Sequence, residues 1–373
     1  MKILFTVQGE GRGHLTQAHT LSKILRNEGH EITAVVVGKS KSRKLPQFFL
    51  DKIGAEVHLA ESPNFLPAGK DGHAPVARSI AWNIVRLPRF ASGIRKIRQL
   101  AASADVVVNF YEILTGLAFG LGGLTTPLVC VGHQYLLLHP DFRLPAGHRG
   151  QLAMLNFFTR LTALRARRLL ALSFRQMPRP TAGRTTVVPP LIREEVKNVA
   201  PTRGGYLHGY LLNSTLAAEV EAWHNRHPDV PLHFFWDRTI GGETRYGRNL
   251  TFHGLDDTAF IRFMAGARAF ATTAGFESVC EAMYLGKPTL MVPTHIEQLC
   301  NAVDAEAAGA GVRAEHFDLD LLNSLQPKPN ERFRTWADRA ETLFPQIIAA
   351  AAEAGTSYSL RQEWIGRLRT LWN

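Results

Sequence analysis

Between Arg268 and Asn301 the chain gives an apolar run, a loop, a helical pattern, a second apolar run and a polar cluster, and few folds accept that order. Arg268-Ala-Phe-Ala-Thr272 predicts a buried strand and Thr272-Thr-Ala-Gly275 a loop. A helix follows from Phe276 to Leu285, stopped by Gly286 and Pro288. Thr289 to Val292 is the next strand, and His295, Glu297, Gln298 and Asn301 follow its carboxyl end. In a parallel sheet ligands gather at that end. The stretch offers a helix N-terminus suited to an anion and, one strand later, side chains suited to hydroxyl groups.

The same strand-loop-helix logic opens the chain. Lys2-Ile-Leu-Phe-Thr-Val7 predicts a buried strand, Gln8-Gly-Glu-Gly-Arg-Gly-His14 a glycine-rich turn, and Leu15 to Asn27 a helix capped by Gly29. Glu31-Ile-Thr-Ala-Val-Val-Val37 completes a βαβ unit. Gly9, Gly11 and Gly13 miss the G-x-G-x-x-G spacing because residue 14 is His, and basic Gly38-Lys-Ser-Lys41 replaces the ribose-binding acid. A nicotinamide cofactor is rejected on both counts.

A chain of 373 residues has room for two domains at about 100–200 residues each. No apolar run reaches the roughly 18 residues of a membrane span, and Met1 to Val7 is too short for a signal core, so a cytoplasmic protein is expected. Cys130, Cys280 and Cys300 fit neither a disulfide framework nor a metal spacing. The net charge of +11 calls for an anionic partner, with nucleic acid, an anionic membrane surface or phosphorylated small molecules in view. No common nucleic-acid module is present, so nucleic acid is set aside.

Residues 45–100 read as a variable half. From Ser79 to Leu100, apolar and aromatic residues alternate with Arg86, Arg89, Arg95, Lys96 and Arg98, and Pro88 is expected to break or kink the helix. This is either an amphipathic helix packed on the sheet or a membrane-surface element. Asp105 to Phe110 and Thr126 to Val131 predict strands, and Gln151 to Leu172 a helix. Domain boundaries are expected at 1–190, a linker at 191–203, a second domain at 204–350 and a terminal helix at 351–373 that crosses back to the first domain.

Two βα-repeating halves, a Gly-rich loop ending in His14, and the run Thr273-x-Gly275-x-x-Ser278…Glu281…Glu297-Gln298…Asn301-Ala302 resemble the GT-B glycosyltransferases. The likeness is to the family-28 and family-1-like group that includes the peptidoglycan N-acetylglucosaminyltransferase. It implies an α/β fold of two Rossmann-like domains with parallel sheets facing a cleft. It also implies a nucleotide-diphosphate sugar, UDP on family grounds, as donor. The diphosphate would meet Thr273, Ala274, Gly275 and Phe276 through backbone N–H groups, with Ser278 nearby. Glu281 falls where the family holds the ribose diol, Glu297 and Gln298 where it holds the donor sugar, and His253 where a strand end faces the base. Plainer alternatives are a surface carboxylate for Glu281, and a helix-start acid and a solvated amide for the pair.

His14 falls where the family carries a histidine in the cleft, and a neutral imidazole suits a general base. A capping or phosphate-binding His is the competing reading. Glu112 stands near the family's acidic pair, but Phe110 occupies a position expected to be Asp, which puts the usual His–Asp relay in doubt. Glu112 is a candidate to orient His14 or to be the base itself. Glu10, Gly11, Arg12 and Gly13 are candidates for acceptor or phosphate contact. Asp318-Leu-Asp320 matches a metal-binding D-x-D but reads as a helix cap, so no metal or other cofactor is expected.

These residues imply an inverting glycosyltransferase acting on a hydroxyl acceptor, with segment 79–98 and the charge of +11 suggesting a lipid-linked or cell-envelope glycan at the inner membrane face. Two other functions share the features: a nucleotide-sugar 2-epimerase and a non-catalytic nucleotide-sugar-binding protein.

Overall fold

The computed structural model describes residues 1–41, 43–63, 87–211, 216–236 and 244–353. The first half runs β1 (Lys2–Gln8), α1 (Arg12–Asn27), β2 (Glu31–Lys39), α2 (Gln47–Lys52), β3 (Glu56–Glu61), α3 (Leu87–Ala101), β4 (Val106–Phe110), α4 (Ile113–Gly120) and β5 (Leu128–Gly132). A 3-10 turn (His133–Leu138), α5 (Arg149–Thr162), β6 (Arg168–Leu172), β7 (Thr181–Ala182) and β8 (Thr185–Val188) complete it. Its sheet has the order β3-β2-β1-β4-β5-β6-β8-β7, and only the β7–β8 pairing is antiparallel. Ile3, Leu4, Phe5 and Val7 are all fully buried. Such unbroken burial along a strand requires helices on both faces of the sheet.

Short helix α6 (Glu194–Lys197) lies in the connection between the sheets. The second half runs β9 (Leu207–Leu211), α7 (Ala217–Arg226), β10 (Leu232–Trp236), β11 (Thr244–Tyr246), β12 (Leu250–Gly254), α8 (Asp257–Gly266), β13 (Ala269–Thr272) and α9 (Phe276–Tyr284). It continues with β14 (Thr289–Met291), α10 (Ile296–Ala307), β15 (Gly311–Arg313), α11 (Leu319–Ser324), α12 (Glu331–Asp338) and α13 (Ala340–Glu353). The sheet order β11-β12-β10-β9-β13-β14-β15 is parallel apart from β11. Without that edge strand it reproduces the doubly wound dinucleotide-binding order, with its switch point between β9 and β13.

Two expectations change. Residues 151–172 are not one helix: α5 ends at Thr162, Arg165 turns left-handed at φ 57°, and the apolar run from Arg168 becomes β6. The run pairs with β5 and β8, so sheet burial overrides helical continuity. Pro88 sits in the first turn of α3, where a missing N–H costs nothing, and residues 79–86, on which the expected break or kink would be read, lie outside the described residues. The helix that returns to the first domain is α13, which packs on α1, β4 and β8 with Phe344 and Ile348 fully buried. Residues 354–373, where that crossing was expected to lie, are outside the described residues, as are residues 64–86 of the variable half. Trp336 of α12 fixes the return by donating from Nε1 to the Ser173 carbonyl at 3.0 Å.

Close packing of α4 on the end of α5 depends on Gly116, where a Cβ would lie 1.8 Å from the Leu161 carbonyl oxygen. Gly116→Ala is expected to lower stability by about 1–3 kcal/mol, read by denaturant unfolding.

Candidate functional site

The first turns of α1 and α9 meet tip to tip across the cleft. Gly13 permits the approach, since a Cβ there would lie 2.9 Å from Cδ of Glu277. The turn after Gly11 starts a helix with no side-chain cap, which leaves its first amides for the cleft. Gln17, one helical turn beyond His14, donates from Nε2 to Glu277 Oε1. Its Oε1 lies 3.3 Å from His14 Nδ1. On the other ring nitrogen, Gln134 Nε2 stands 3.4 Å from His14 Nε2 and donates to Glu297 Oε1 at 2.8 Å.

The amide chemistry selects a tautomer. An Nδ1–H can donate to the Gln17 carbonyl, and an Nε2 lone pair can accept from the Gln134 N–H. Tyr111 stacks on the His14 ring at 5.5 Å and 18°. Its backbone is held at φ 62°, a costly conformation for an aromatic residue, and its hydroxyl meets Thr159 Oγ1 at 2.7 Å. Desolvation lowers the His14 pKa, against the opposing charge of Glu297. The ring is therefore neutral near pH 7. Glu277 goes the other way: desolvation raises it to about 7, helped by repulsion from Glu281 and Glu297.

The loop before α9 is braced from behind. Ala274 adopts φ 63°, its carbonyl accepts from Asn301 Nδ2 at 3.1 Å, and Thr273 Oγ1 accepts from Gln298 Nε2 at 3.3 Å. Ser278 Oγ donates to the Gly275 carbonyl at 3.0 Å and lies 3.2 Å from Thr272 Oγ1. The first-turn amides of α9 have no carbonyl partner within the helix, that of Glu277 bonds the residue's own carboxylate, and this end of α9 faces Gly13.

Several expected residues are placed differently. Glu112 is fully buried, caps α4 through the Leu114 amide at 3.0 Å and accepts from Ser62 Oγ at 2.7 Å. None of its bonds leads to His14, so neither of the two roles read for it matches its position. The polar residue of β4 is Asn109, held by Thr6 and the Thr162 carbonyl, while Phe110 faces Phe5 in the core. Glu281 is buried with both oxygens taken by Arg193, Nε to Oε1 at 2.6 Å and a terminal nitrogen to Oε2 at 2.8 Å. Gln298 turns inward, its Oε1 accepting from the Thr294 amide at 2.9 Å, so only Glu297 of the pair faces the cleft. His253, read as a strand end facing the base, is buried, stacks on Phe235 at 4.7 Å beneath α8 and bonds His233 at 3.0 Å. Asp318 caps α11 through the Leu321 amide at 2.9 Å, as its sequence context predicts. Glu10 accepts from the Ser40 amide, and Arg12 reaches Asp257 of the second domain at 2.8 Å.

Gln17, Tyr111, Gln134, Glu277 and Arg193 join the site without having been singled out. Gln17 had a signal, since it follows His14 by three residues on one helix face. Tyr111 and Gln134 stand at carboxyl ends of predicted strands. Arg193 carried none, because its partners lie 88 and 64 residues away in sequence.

Two facing Rossmann-like domains with a helix N-terminus and a histidine in the cleft make up a two-domain GT-B fold. The family described as glycosyl transferase family 1 matches residues 1–326, and the chain belongs to it. It is similar in structure to UGT2 of Phytolacca americana complexed with UDP-2fluoro-glucose and pterostilbene (13% identity, TM-score 0.58, 100% of this chain and 99% of that one). It is similar also to the kitacinnamycin glycotransferase (17%, 0.57, 95% and 93%) and to the calicheamicin glycosyltransferase CalG4 (18%, 0.54, 98% and 98%). No curated protein matches.

Two outcomes follow. Arg193→Met strands the buried Glu281 carboxylate and is expected to cost about 3–5 kcal/mol, most of it regained in Arg193→Met/Glu281→Leu, measured by denaturant unfolding. Burial pushes Glu112 up from 4.5 to about 7, so its contribution to stability is full at acid pH and drains away as pH rises through about 7. Glu112→Gln should flatten that part of the stability–pH curve.

Proposed function

We propose that this glycosyltransferase moves a sugar with inversion from a UDP-sugar to a hydroxyl acceptor, with His14 as general base. The observation that carries the reading is the His14 ring, held in the cleft with Nδ1 beside Gln17 Oε1 and Nε2 beside the Gln134 amide. The acceptor hydroxyl would take the place of the Gln134 N–H at Nε2 and give its proton there as its oxygen attacks C1. The bond from C1 to the diphosphate oxygen breaks, and the leaving diphosphate takes the electron pair. One in-line displacement inverts C1. The amides of Gly275 and Phe276 and the helix dipole would stabilise the departing anion. Glu297, beside the cleft, is suited to the hydroxyls of the sugar. No resident metal enters this scheme, and the Asp318 carboxylate is committed to capping α11.

Gln17 takes the part of the missing His–Asp relay. Its amide joins His14 to Glu277, so the carboxylate that positions the base comes from the donor domain. For Glu281 to meet a ribose diol, Arg193 must yield one carboxylate oxygen. The neighbour complexed with UDP-2fluoro-glucose, and a spinosyn rhamnosyltransferase of TM-score 0.51 complexed with thymidine diphosphate, support a nucleotide-diphosphate donor. The acceptor is read as lipid-linked or phosphate-bearing from the basic outer residues of α3 and the charge of +11. Among the described residues no helix is long and apolar enough to cross a membrane, so that acceptor would be met at a surface.

Incubation with labelled UDP-sugars tests the proposal. Epimerised sugar without acceptor, or binding without transfer or hydrolysis, would sink it. His14→Ala should reduce kcat by about 10²–10⁴-fold while leaving UDP affinity intact. In wild type the acid limb of kcat/KM should fall below the usual histidine value, since desolvation lowers the His14 pKa.

A further inference from the structure

At the end of α9 remote from His14, the two domains enclose a second cavity of about 660 Å³. The loop after β6 contributes Phe174 and Arg175, and the turn into β14 contributes Lys287. Segment 325–339 contributes Lys328, Arg332 and Arg339. No aspartate or glutamate lines it. A cleft lined by charge of one sign concentrates the opposite ion.

These cations are poorly compensated. Arg175 stands 3.6 Å from Asp304, and its Nε–H is buried without an acceptor. Asp304 is a weak counter-ion, raised to about 6 by desolvation against the pull of Arg175. Lys287 is buried and donates only to neutral carbonyls, Thr202 at 2.5 Å and Ala267 at 2.8 Å. Arg339 lies over the Trp336 ring at 5.7 Å. Lys328 and Arg332 have no acceptor among the described residues. Of the two acids of the same segment, Asp338 faces away to Lys197 and Tyr284, and Glu331 does not line the cavity. Met283, Leu325 and Phe333 supply an apolar wall.

We propose that this rear cavity is a binding site for a phosphate-bearing ligand, its phosphates among Arg175, Lys328 and Arg332 and its apolar part against Phe333 and Leu325. The site takes walls from both domains, and Phe174 packs on Phe276 of α9 at 4.6 Å. An occupant therefore favours the closed cleft, because it binds the closed arrangement better than the open one. The phosphate can belong to a free metabolite or to a lipid headgroup. The inference is independent of the sugar-transfer reading.

Inorganic pyrophosphate is the probe for the free anion. Because pyrophosphate also suits the loop at 273–278, hydrogen exchange is used to map where it protects the chain. Wild type is expected to gain protection over residues 286–289 and 325–339. Lys328→Gln/Arg332→Gln changes only exposed side chains, and should bind there at least tenfold more weakly, with the remaining binding sensitive to salt. In a second arm, flotation on phosphatidylglycerol vesicles that is lost in the same variant assigns the phosphate to a lipid headgroup. Protection confined to 273–278, together with flotation identical in wild type and variant, overturns the proposal.

Discussion

Everything in the cleft depends on residue 13 having no side chain. Two helix N-termini, each partly positive, approach tip to tip, an arrangement that would repel without a negative group between them. Glu277 supplies that group, and its carboxylate occupies the space that a Cβ on Gly13 would need. From this contact Gln17 is aimed, from Gln17 the His14 ring is aimed, and Gln134 closes the circuit onto Glu297. Each link is a single hydrogen bond, worth about 0.5–1.5 kcal/mol between neutral groups and about 1.5–3 kcal/mol to a carboxylate, so the cleft is set by geometry as much as by strength. A closure held this lightly can reopen for substrates.

A second, stronger tie lies beneath it. Glu281, Arg193, Asp257 and Arg12 form a chain of opposite charges through the connecting segment, α8, α9 and the glycine-rich turn. The inner pair is buried and bidentate, which makes it costly to break. The outer pair, Arg12 with Asp257, is partly exposed and worth about 0.2–1 kcal/mol, so it orients the turn more than it stabilises the fold. The connection between the domains is thus a jointed strut rather than a loose linker.

The fold was legible because its signals are local. Buried parallel strands read as unbroken apolar runs, and helices read through caps, Gly and Pro, so β1, β2, β4, β13 and β14 and the helices after β1 and β13 were predictable. The failure at residues 151–172 has the same cause inverted. Arg168-Leu-Leu-Ala-Leu172 carries an apolar run that suits either helix or strand, and only its place between β5 and β8 decides. In the site, family likeness located the loop at 272–276 and His14. It gave Glu281 and Gln298 to a ligand although Arg193 and Thr294 engage them here. A carboxylate's type and spacing do not say which cation folds onto it.

By itself the sequence determined two doubly wound halves, a phosphate-ready helix start at 275–278 and a histidine at the mouth of the first helix. Those follow from periodicity and backbone chemistry within about thirty residues of chain, the span of one βαβ unit. Only the tertiary structure decided the partners of His14. Gln17, Gln134, Glu277 and Glu297 come from four helical turns spread over both domains, and no local pattern records a distance between domains. The same is true of the basic cavity behind α9, whose cations are scattered from residue 175 to residue 339 and meet only when the last helices fold back onto the first domain.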